Sequence, residues 1–250
     1  MLLECPVGAL PGTAYTAKAE ETDDKTDTSN IKSILLIGQD KREGQSRQRS
    51  DSMILATLDK DQKTISLTSG YSSTRINAAY AYGGMDLLDE TLTQNFGVEI
   101  DGNVEVDFEV FQVLVDKVGG IDLELTQAEA DYICGRDQSV LYPQPLRTDW
   151  DLQEGMNHLD GEQALIHARN RSIGNSDYRR TERQQEVLMA AFEKVKDLSA
   201  FSIAGLVKDV LPLVTTDLSF TEIIGYAMDV MSIGTGDIAT YRIPEDGAYT

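Results

Sequence analysis

Short apolar runs alternate with segments of helical periodicity along most of this chain. Residues 33–38, Ser-Ile-Leu-Leu-Ile-Gly, have the pattern of a buried strand, and further strands are predicted at 53–58, 64–68, 103–108, 121–125 and 238–243. Helices are predicted at 76–82, 85–96, 108–118, 161–168, 179–198, 203–210 and 221–231, and the helix at 108–118 is apolar enough to be buried. Strands that alternate with helices predict an α/β fold, a three-layer α-β-α sandwich with a central mixed sheet.

The length of 250 residues suffices for one substantial core and requires no second domain. Residues 17–30 are polar, acidic and without large apolar groups. We therefore expect a disordered N-terminal tail or linker over residues 1–30 and a single domain over residues 31–250. No run approaches the ~18 apolar residues of a transmembrane helix, so no membrane span is expected.

The formal net charge of -20 and the pI near 4.3 restrict the partners of this chain. Affinity for DNA or RNA depends on many Lys and Arg contacts to phosphates, so a general nucleic-acid binder is not expected. Attachment to an anionic bilayer through a polybasic patch is not expected either. Any anion must therefore be bound locally, against the field of the whole chain.

Eight of the twelve arginines fall into two short stretches of the sequence. The stretch 40–51 contains Arg42, Arg47 and Arg49, and the stretch 160–184 contains Arg169, Arg171, Arg179, Arg180 and Arg183. Arginine forms bidentate hydrogen bonds to phosphate and stays charged at neutral pH. Surface arginines that offset the acidic surface are the alternative, but basic residues at a helix start oppose the helix dipole. We expect the two stretches to form one phosphate-binding site.

Asp40 and Asp51 flank the first stretch, at the ends of two predicted strands. Paired carboxylates beside arginines suit Mg²⁺ shared with substrate phosphates, although such aspartates also cap turns or pair with arginines. Asp177 is either the N-cap of the helix that follows or a base in the site. His158 and His167 lack the partners of metal or triad chemistry and are interpreted as structural.

Six segments, in this order, resemble the LytR-CpsA-Psr family of Gram-positive cell-wall enzymes. They are I-L-L-I-G-Q-D-K-R, R-S-D-S-M-I-L-A-T, R-I-N-A-A-Y-A-Y-G-G, V-D-K-V-G-G-I-D-L, L-D-G-E-Q-A-L-I-H-A-R-N-R and S-D-Y-R-R-T-E-R-Q. The resemblance implies a phosphotransferase that moves teichoic acid or capsular polysaccharide from a polyprenyl-pyrophosphate carrier to peptidoglycan. It also implies a hydrophobic tunnel for the lipid and a location at the outer face of the cytoplasmic membrane.

The resemblance also implies roles for individual residues. Asp40 and Asp51 match the aspartates associated with Mg²⁺. Asp177, Arg49, Arg169 and Arg171 are the implied catalytic residues. The implied pyrophosphate-binding residues are Arg49, Arg75, Arg169, Arg171, Arg180, Arg183 and Gln184.

The chain departs from the family pattern in two places. It shows no N-terminal transmembrane helix, and Ser69 runs directly into Gly70 where the family continues with an arginine-aspartate segment. Two functional hypotheses follow, a phosphotransferase and a protein that binds the pyrophosphate-linked glycan without turnover. A third, a transcription regulator, is the weakest because the chain is acidic and shows no recognition helix.

Overall fold

The computed structural model describes residues 30–39, 52–70, 76–174, 177–196, 198–233 and 238–243. The strands are β1 (Ile31–Gln39), β2 (Ser52–Asp59), β3 (Thr64–Gly70), β4 (Gly102–Asp107), β5 (Ile121–Leu125), β6 (Gly155–Leu159), β7 (Thr215–Thr216) and β8 (Ile238–Ile243). The helices are α1 (Ile76–Phe96), α2 (Phe108–Lys117), α3 (Gln127–Ile133), α4 (Gly161–Arg169), α5 (Asp177–Val195), α6 (Ala200–Val210) and α7 (Phe220–Ile233).

Six strands form a central sheet in the order β7-β4-β1-β2-β3-β8. β2 is antiparallel to both β1 and β3, whereas β4 runs parallel to β1 and β8 runs parallel to β3. The sheet is therefore mixed. This arrangement brings the carboxyl ends of β1, β3, β4 and β8 and the start of β2 to one edge, which we call the upper edge.

One face of the sheet is covered by α1. Ala79, Tyr80 and Leu88 of this helix form a buried cluster with Leu35 and Ile37 of β1. The predicted helices at 76–82 and 85–96 are the two parts of α1, which is broken at a glycine, Gly84, with φ 74°. A positive φ strains any residue with a Cβ atom, so glycine is the residue that allows this break.

The other face is covered by α5, which is buried on two sides. Leu188 and Phe192 pack on the cluster around Leu67 of β3, while Val187 and Ala190 belong to a second core that includes β5, α3 and α4. The two helical layers around the sheet confirm the predicted α-β-α sandwich. α5 is the element that joins the sheet to the second core.

The second core contains most of what the sequence did not predict. β5 was predicted, but it pairs with β6 in a separate two-stranded sheet, and β6, α3 and β7 were not predicted. The interpretation of α2 as a buried helix was wrong, because Val115 is its one buried residue and Val113 is 38% exposed. α2 lies at the surface and packs on α4, whose Gly161 approaches it so closely that a Cβ atom would lie 2.3 Å from the Gln112 carbonyl oxygen.

Within the described residues, no helix combines the length and apolar character needed to cross a membrane. The predicted tail lies outside the described residues apart from Asn30, so its disorder stays a prediction.

Candidate phosphate-binding site

The strand register brings the flanks of the first arginine stretch together. Gly38 of β1 pairs with Ser52 of β2. The chain therefore leaves the sheet after Gln39 and re-enters it at Ser52, and these two points are adjacent on the upper edge. Asp40, Arg49 and Asp51 belong to the intervening stretch 40–51, which lies outside the described residues, as does Arg75. No cluster of three His, Cys, Asp or Glu side chains able to hold a metal occurs within the part of the chain that the structure describes.

Arg169 is fixed near this edge by an aromatic ring. It is the last residue of α4, and its guanidinium carbon lies 3.9 Å from the ring centroid of Phe108. Phe108 directly follows Asp107, which is paired with Gln39 of β1. A cation over an aromatic face is attracted by the ring quadrupole and held in one orientation. The exposed Arg169 side chain therefore lies beside the point from which the stretch 40–51 leaves the sheet.

Arg171 lies on a tight turn between α4 and α5. Asn170 is the fully buried C-cap residue of α4. Its Oδ1 accepts hydrogen bonds from the backbone N–H groups of Ser172 at 2.9 Å and Ile173 at 3.3 Å. An asparagine that bonds the backbone two or three residues ahead stabilises a turn. Arg169, at the end of α4, and Arg171, on the turn that follows it, are thus both exposed.

Arg183 is hydrogen bonded to this turn from the protein interior. It is 1% exposed, and it donates from Nη1 to the carbonyl oxygen of Asn170 and from Nη2 to that of Ile173, both at 3.0 Å. Its Nε donates to Glu129 at 2.9 Å. Arg183 therefore forms these hydrogen bonds inside the protein, whereas a residue that binds pyrophosphate would direct its N–H groups outward.

Glu129 is a buried carboxylate that joins α3 to this turn. Burial acts to raise the pKa of Glu129, but hydrogen bonds from Thr126 and Arg183 outweigh it, so the pKa lies below its ordinary value. Through Thr126, Glu129 also closes the capping box at the start of α3. It therefore stays charged and keeps its arginine partner at neutral pH.

The first two turns of α5 carry the remaining predicted residues. Arg179 is partly exposed, and its Nη1 lies 2.5 Å from Glu182. Arg180 is 9% exposed, Gln184 is half-buried, and Asp177 is the first residue of α5, with a side chain outside the described residues. α5 is joined to the turn that carries Arg171 through the hydrogen bonds of Arg183.

One arginine in this region was missed by sequence reasoning. Arg242 of β8 lies with its guanidinium carbon 4.4 Å from the ring centroid of Tyr178 and its Nη1 3.5 Å from Glu182. As a single arginine far from both stretches it gave no signal in the sequence. The pairing of β8 with β3 brings it to the start of α5.

The two histidines have carboxylate partners. His167 is 1% exposed, and its Nε2 lies 3.4 Å from Glu186, whose pKa is lowered by the hydrogen bond with His167. His158 is exposed and contacts Asp122 at 2.6 Å. Within the described residues neither histidine belongs to a group of three His, Cys, Asp or Glu side chains that could hold a metal.

An apolar cavity of about 100 Å³ lies between the sheet and α1. Its walls include Leu35, Met53, Leu55, Ile76, Leu92 and Phe96. It extends from Met53 and Ile76, near the upper edge, to Phe96 at the far end of α1. An apolar ligand can therefore lie on the α1 face while its polar end reaches the upper edge.

Comparison with known proteins identifies relatives of the chain. The model of the LytR_cpsA_psr family matches residues 12–250. TagV and TagT of Bacillus subtilis, both named as polyisoprenyl-teichoic acid–peptidoglycan teichoic acid transferases, are 32% and 28% identical over 76% and 87% of this chain. TagU of Bacillus cereus, which carries the same activity in its name, is 31% identical over 79% of it.

The aligned region covers 50% of TagV, 70% of TagT and 65% of TagU, so the chain spans about half the length of TagV. Among solved structures, that of B. subtilis TagV has a TM-score of 0.67 at 29% identity and covers 86% of this chain and 84% of its own. A structure of TagT bound to LI-WTA has a TM-score of 0.67 at 26% identity, covering 86% and 79%.

Proposed function

Because this chain belongs to the LytR-CpsA-Psr family, we propose that it transfers an anionic glycopolymer from a polyprenyl-pyrophosphate carrier to peptidoglycan. The glycopolymer is of the teichoic acid or capsular polysaccharide type. The names of TagV, TagT and TagU support the teichoic acid class. The site of action is the outer face of the cytoplasmic membrane of a Gram-positive bacterium.

The position of Arg169 is the observation that carries this proposal. The exposed side chain of Arg169 stacks on the ring of Phe108. Phe108 directly follows Asp107, which pairs with Gln39 at the end of β1, where the stretch 40–51 begins. Together with Arg171 on the adjoining turn, Arg169 provides two exposed guanidinium groups beside the site predicted for Asp40 and Asp51. Guanidinium groups held in place before the reaction stabilise phosphate charge without reorganisation.

Arg49, Arg75, Arg180 and Gln184 complete the proposed pyrophosphate site. In it Arg49, Arg169 and Arg171 serve the reacting phosphates directly. Arg183, buried against Glu129, acts by holding the turn that presents Arg171.

Asp40 and Asp51 fit Mg²⁺ because carboxylate oxygens are hard donors of the kind that this ion prefers. Asp40 follows the end of β1, and Asp51 directly precedes Ser52 of β2, which pairs with Gly38 of β1. Bound there, Mg²⁺ would neutralise negative charge on the pyrophosphate oxygens. The arginines orient the donor and stabilise the charge that develops as the phosphorus is attacked.

The reaction is a displacement at phosphorus. The oxygen of an acceptor sugar hydroxyl forms a bond to the phosphorus that carries the glycopolymer, and the bond from that phosphorus to the bridging oxygen breaks. Polyprenyl phosphate leaves with the electron pair, and the hydroxyl proton passes to Asp177 or to a carboxylate at the metal site. In such reactions the protein mainly positions groups and stabilises charge, which suits a site of arginines and aspartates.

The cavity beneath α1 provides the proposed binding site for part of the polyprenyl chain. It is apolar, and it approaches the upper edge at Met53 and Ile76. The lipid would therefore lie on the α1 face while its pyrophosphate turns over the edge toward Arg169.

The test is a magnesium-dependent assay for release of polyprenyl phosphate from a polyprenyl-pyrophosphate glycan in the presence of peptidoglycan. Arg169→Gln should lower the rate about 10²-fold, a typical loss for one donor to a developing oxyanion. Arg147→Gln is the matched control. Arg147 stacks on Trp150 and pairs with Glu162. Glu162 precedes Arg169 by seven residues in α4, so these two residues are about 10 Å apart along the helix.

A second candidate function follows from the junction at Ser69 and Gly70, where the arginine-aspartate segment of the family pattern is missing. A chain without that arginine can bind the pyrophosphate-linked glycan without turnover. Tight binding of the donor with no release of polyprenyl phosphate by the unaltered chain would favour this function.

Equal rates for Arg169→Gln and the unaltered chain would argue against the proposed transfer site.

A further inference from the structure

The loop between α3 and β6 has an uncharged tip beside the proposed donor site. The tip, residues 138–146, has the sequence Gln-Ser-Val-Leu-Tyr-Pro-Gln-Pro-Leu and contains no Asp, Glu, Lys or Arg, in a chain of which 26% is charged. Leu141 and Tyr142 are 77% and 60% exposed, and Leu146 is exposed as well. Exposed apolar side chains that adjoin one another are typical of a surface that binds a ligand or a partner.

Hydrogen bonds fix the shape of this tip. Gln138 donates from Nε2 to the carbonyl oxygens of Gly135 at 2.7 Å and Gln144 at 3.0 Å. Gln144 donates from its own Nε2 to the hydroxyl oxygen of Tyr132 in α3 at 3.0 Å. A Cβ atom at Gly135 would lie 2.2 Å from the carbonyl oxygen of Pro145, so the two ends of the loop are in close contact. The tip is therefore ordered before a ligand binds, which lowers the cost of binding.

Tyr142 connects the tip to the turn that carries Arg171. Its backbone N–H donates to Oγ of Ser172 at 3.3 Å. Ser172 directly follows Arg171, so the Cα atoms of Tyr142 and Arg171 are at most about 11 Å apart. A short oligosaccharide that lies on the tip therefore reaches the proposed pyrophosphate site.

The tip and the apolar cavity lie on opposite sides of the sheet. The cavity is on the side of α1, with which Leu35 and Ile37 of β1 pack, whereas Leu36 belongs to the cluster that α5 covers. The tip is bonded to α3 and to the turn before α5, on that second side. In a displacement at phosphorus the attacking and leaving oxygens are roughly in line. Because polyprenyl phosphate leaves toward α1, the acceptor hydroxyl approaches from the side of the tip.

The composition of the tip suits an uncharged saccharide. A surface for the anionic glycopolymer of the donor would carry Lys or Arg, and the tip has neither. Arg136 and Asp137 directly precede the tip, but their charged groups are bonded to the loop itself. The amino-sugar rings of a peptidoglycan strand are uncharged and have an apolar C–H face with hydroxyl groups at the rim. Tyr142 matches such a ring, because tyrosine combines an apolar face with a hydroxyl group.

We propose that residues 138–146 form the acceptor-binding surface, on which Leu141 and Tyr142 hold a sugar ring of the peptidoglycan strand. A hydroxyl group of a neighbouring sugar then attacks phosphorus, and the bonds formed and broken are those of the proposed transfer. This inference rests on the proposed function, since it assigns a surface to the acceptor of that reaction. Tyr142 sets the affinity for the acceptor and takes no proton.

The experiment measures the KM for a soluble peptidoglycan oligosaccharide, the KM for the donor, and calorimetric binding of the same oligosaccharide without donor. Tyr142→Ala should raise the acceptor KM and weaken oligosaccharide binding about tenfold, the effect of one aromatic contact. The KM for the donor should not change. Tyr142→Phe should retain most of the affinity because the ring remains, and Leu141→Ser should weaken binding by a smaller factor than Tyr142→Ala.

Phe201→Ala is the matched control, since Phe201 is an aromatic residue with 90% exposure at the start of α6. α5, with 19 residues and a length of about 28 Å, separates it from the proposed site. All of these side chains are exposed, so none of the variants should change the melting temperature by more than a small amount. Equal effects of Phe201→Ala and Tyr142→Ala on the acceptor KM would overturn the proposal.

The outcomes separate this inference from the function on which it rests. If transfer proceeds and Tyr142→Ala changes neither the acceptor KM nor oligosaccharide binding, the inference fails alone. If Tyr142→Ala weakens oligosaccharide binding but the unaltered chain releases no polyprenyl phosphate, the binding surface stands and the transfer fails. If the unaltered chain neither binds the oligosaccharide nor transfers to it, both fail.

A membrane is the other class of partner for an exposed apolar tip. Vesicles of phosphatidylcholine and phosphatidylglycerol test it by sedimentation with the unaltered chain and with Leu141→Ser and Tyr142→Ala. Vesicle binding that both variants lose, at an unchanged acceptor KM, would assign the tip to lipid and overturn the proposal.

Discussion

Arg183 donates from Nε to a carboxylate oxygen of Glu129 at 2.9 Å, and both side chains are almost completely buried. The same guanidinium donates to the carbonyl oxygens of Asn170 and Ile173. One arginine thus links α5, α3 and the turn that presents Arg171. The orientation of the proposed site depends on an ion pair that does not face it.

We expect Arg183→Met to lower the free energy of unfolding by about 3–5 kcal/mol, because it leaves the Glu129 carboxylate buried without its partner. It also removes the donors to two backbone carbonyl groups. Arg171→Met is the control and should change stability by about 0.5 kcal/mol or less, since Arg171 is exposed. Denaturant unfolding measures both. Similar losses in the two variants would contradict the structural role of Arg183.

The lowered pKa of Glu129 predicts a pH dependence. Its charged form is stabilised in the folded chain, so its contribution to stability is complete above the ordinary pKa of 4.5 and is lost as pH falls through the folded value. The stability difference between the unaltered chain and Glu129→Gln should therefore be constant near neutral pH and shrink in acid. A difference that persists unchanged to about pH 2, well below the ordinary pKa of 4.5, would refute this pH dependence.

The cavity beneath α1 predicts an effect that depends on the length of the lipid. Leu92→Phe should narrow the cavity and weaken binding of a long polyprenyl donor about tenfold, the effect of losing burial of about two methylene groups. A donor with a short chain should be affected less. Val113→Phe, on the exposed side of α2, is the control. Equal effects on long and short donors would exclude this cavity as the lipid site.

The predicted metal site is tested by comparing aspartates within and outside it. Asp40→Asn and Asp51→Asn should each weaken Mg²⁺ binding about a hundredfold or more, since loss of an outer-shell partner alone costs up to about that much. Asp59→Asn should not, because the Asp59 carboxylate accepts hydrogen bonds from the backbone N–H groups of Asp61 and Gln62 in the β2-β3 turn. Calorimetry that finds equal losses in all three variants would remove the metal assignment.

The short connection after β3 predicts that rate and stability can be separated. β3 and the start of α1 both form, so the strand survives the missing segment, as the sequence predicted. Insertion of an arginine-aspartate segment between Ser69 and Gly70 should raise the transfer rate, since an arginine finger can contribute about 10³ to 10⁵ in phosphoryl transfer. The melting temperature should hardly change. If the unaltered chain is already as fast as the insertion variant, the missing arginine is not required.

Periodicity was sufficient to predict five of the six strands of the central sheet and the long helices, because their apolar residues repeat at the spacing of one buried face. It failed for β6, whose short sequence Gly-Met-Asn-His-Leu has few apolar residues, and for α3, which is seven residues long. Long-range pairing sets a second limit. Residue type suggested that Arg183 binds an anion, but its partner Glu129 is 54 residues away. Likewise, Arg242 comes to the start of α5 only through the pairing of β8 with β3.

The two buried sides of α5 have a consequence for how the protein melts. Val187 and Ala190 belong to the core around β5, while Leu188 and Phe192 pack on the core of the sheet. If either layer came apart, α5 would expose one of its apolar sides to water, and the other layer would lose the helix that covers it. Neither layer can therefore unfold alone at low cost, and heating should produce one cooperative transition that different spectroscopic probes report at the same temperature.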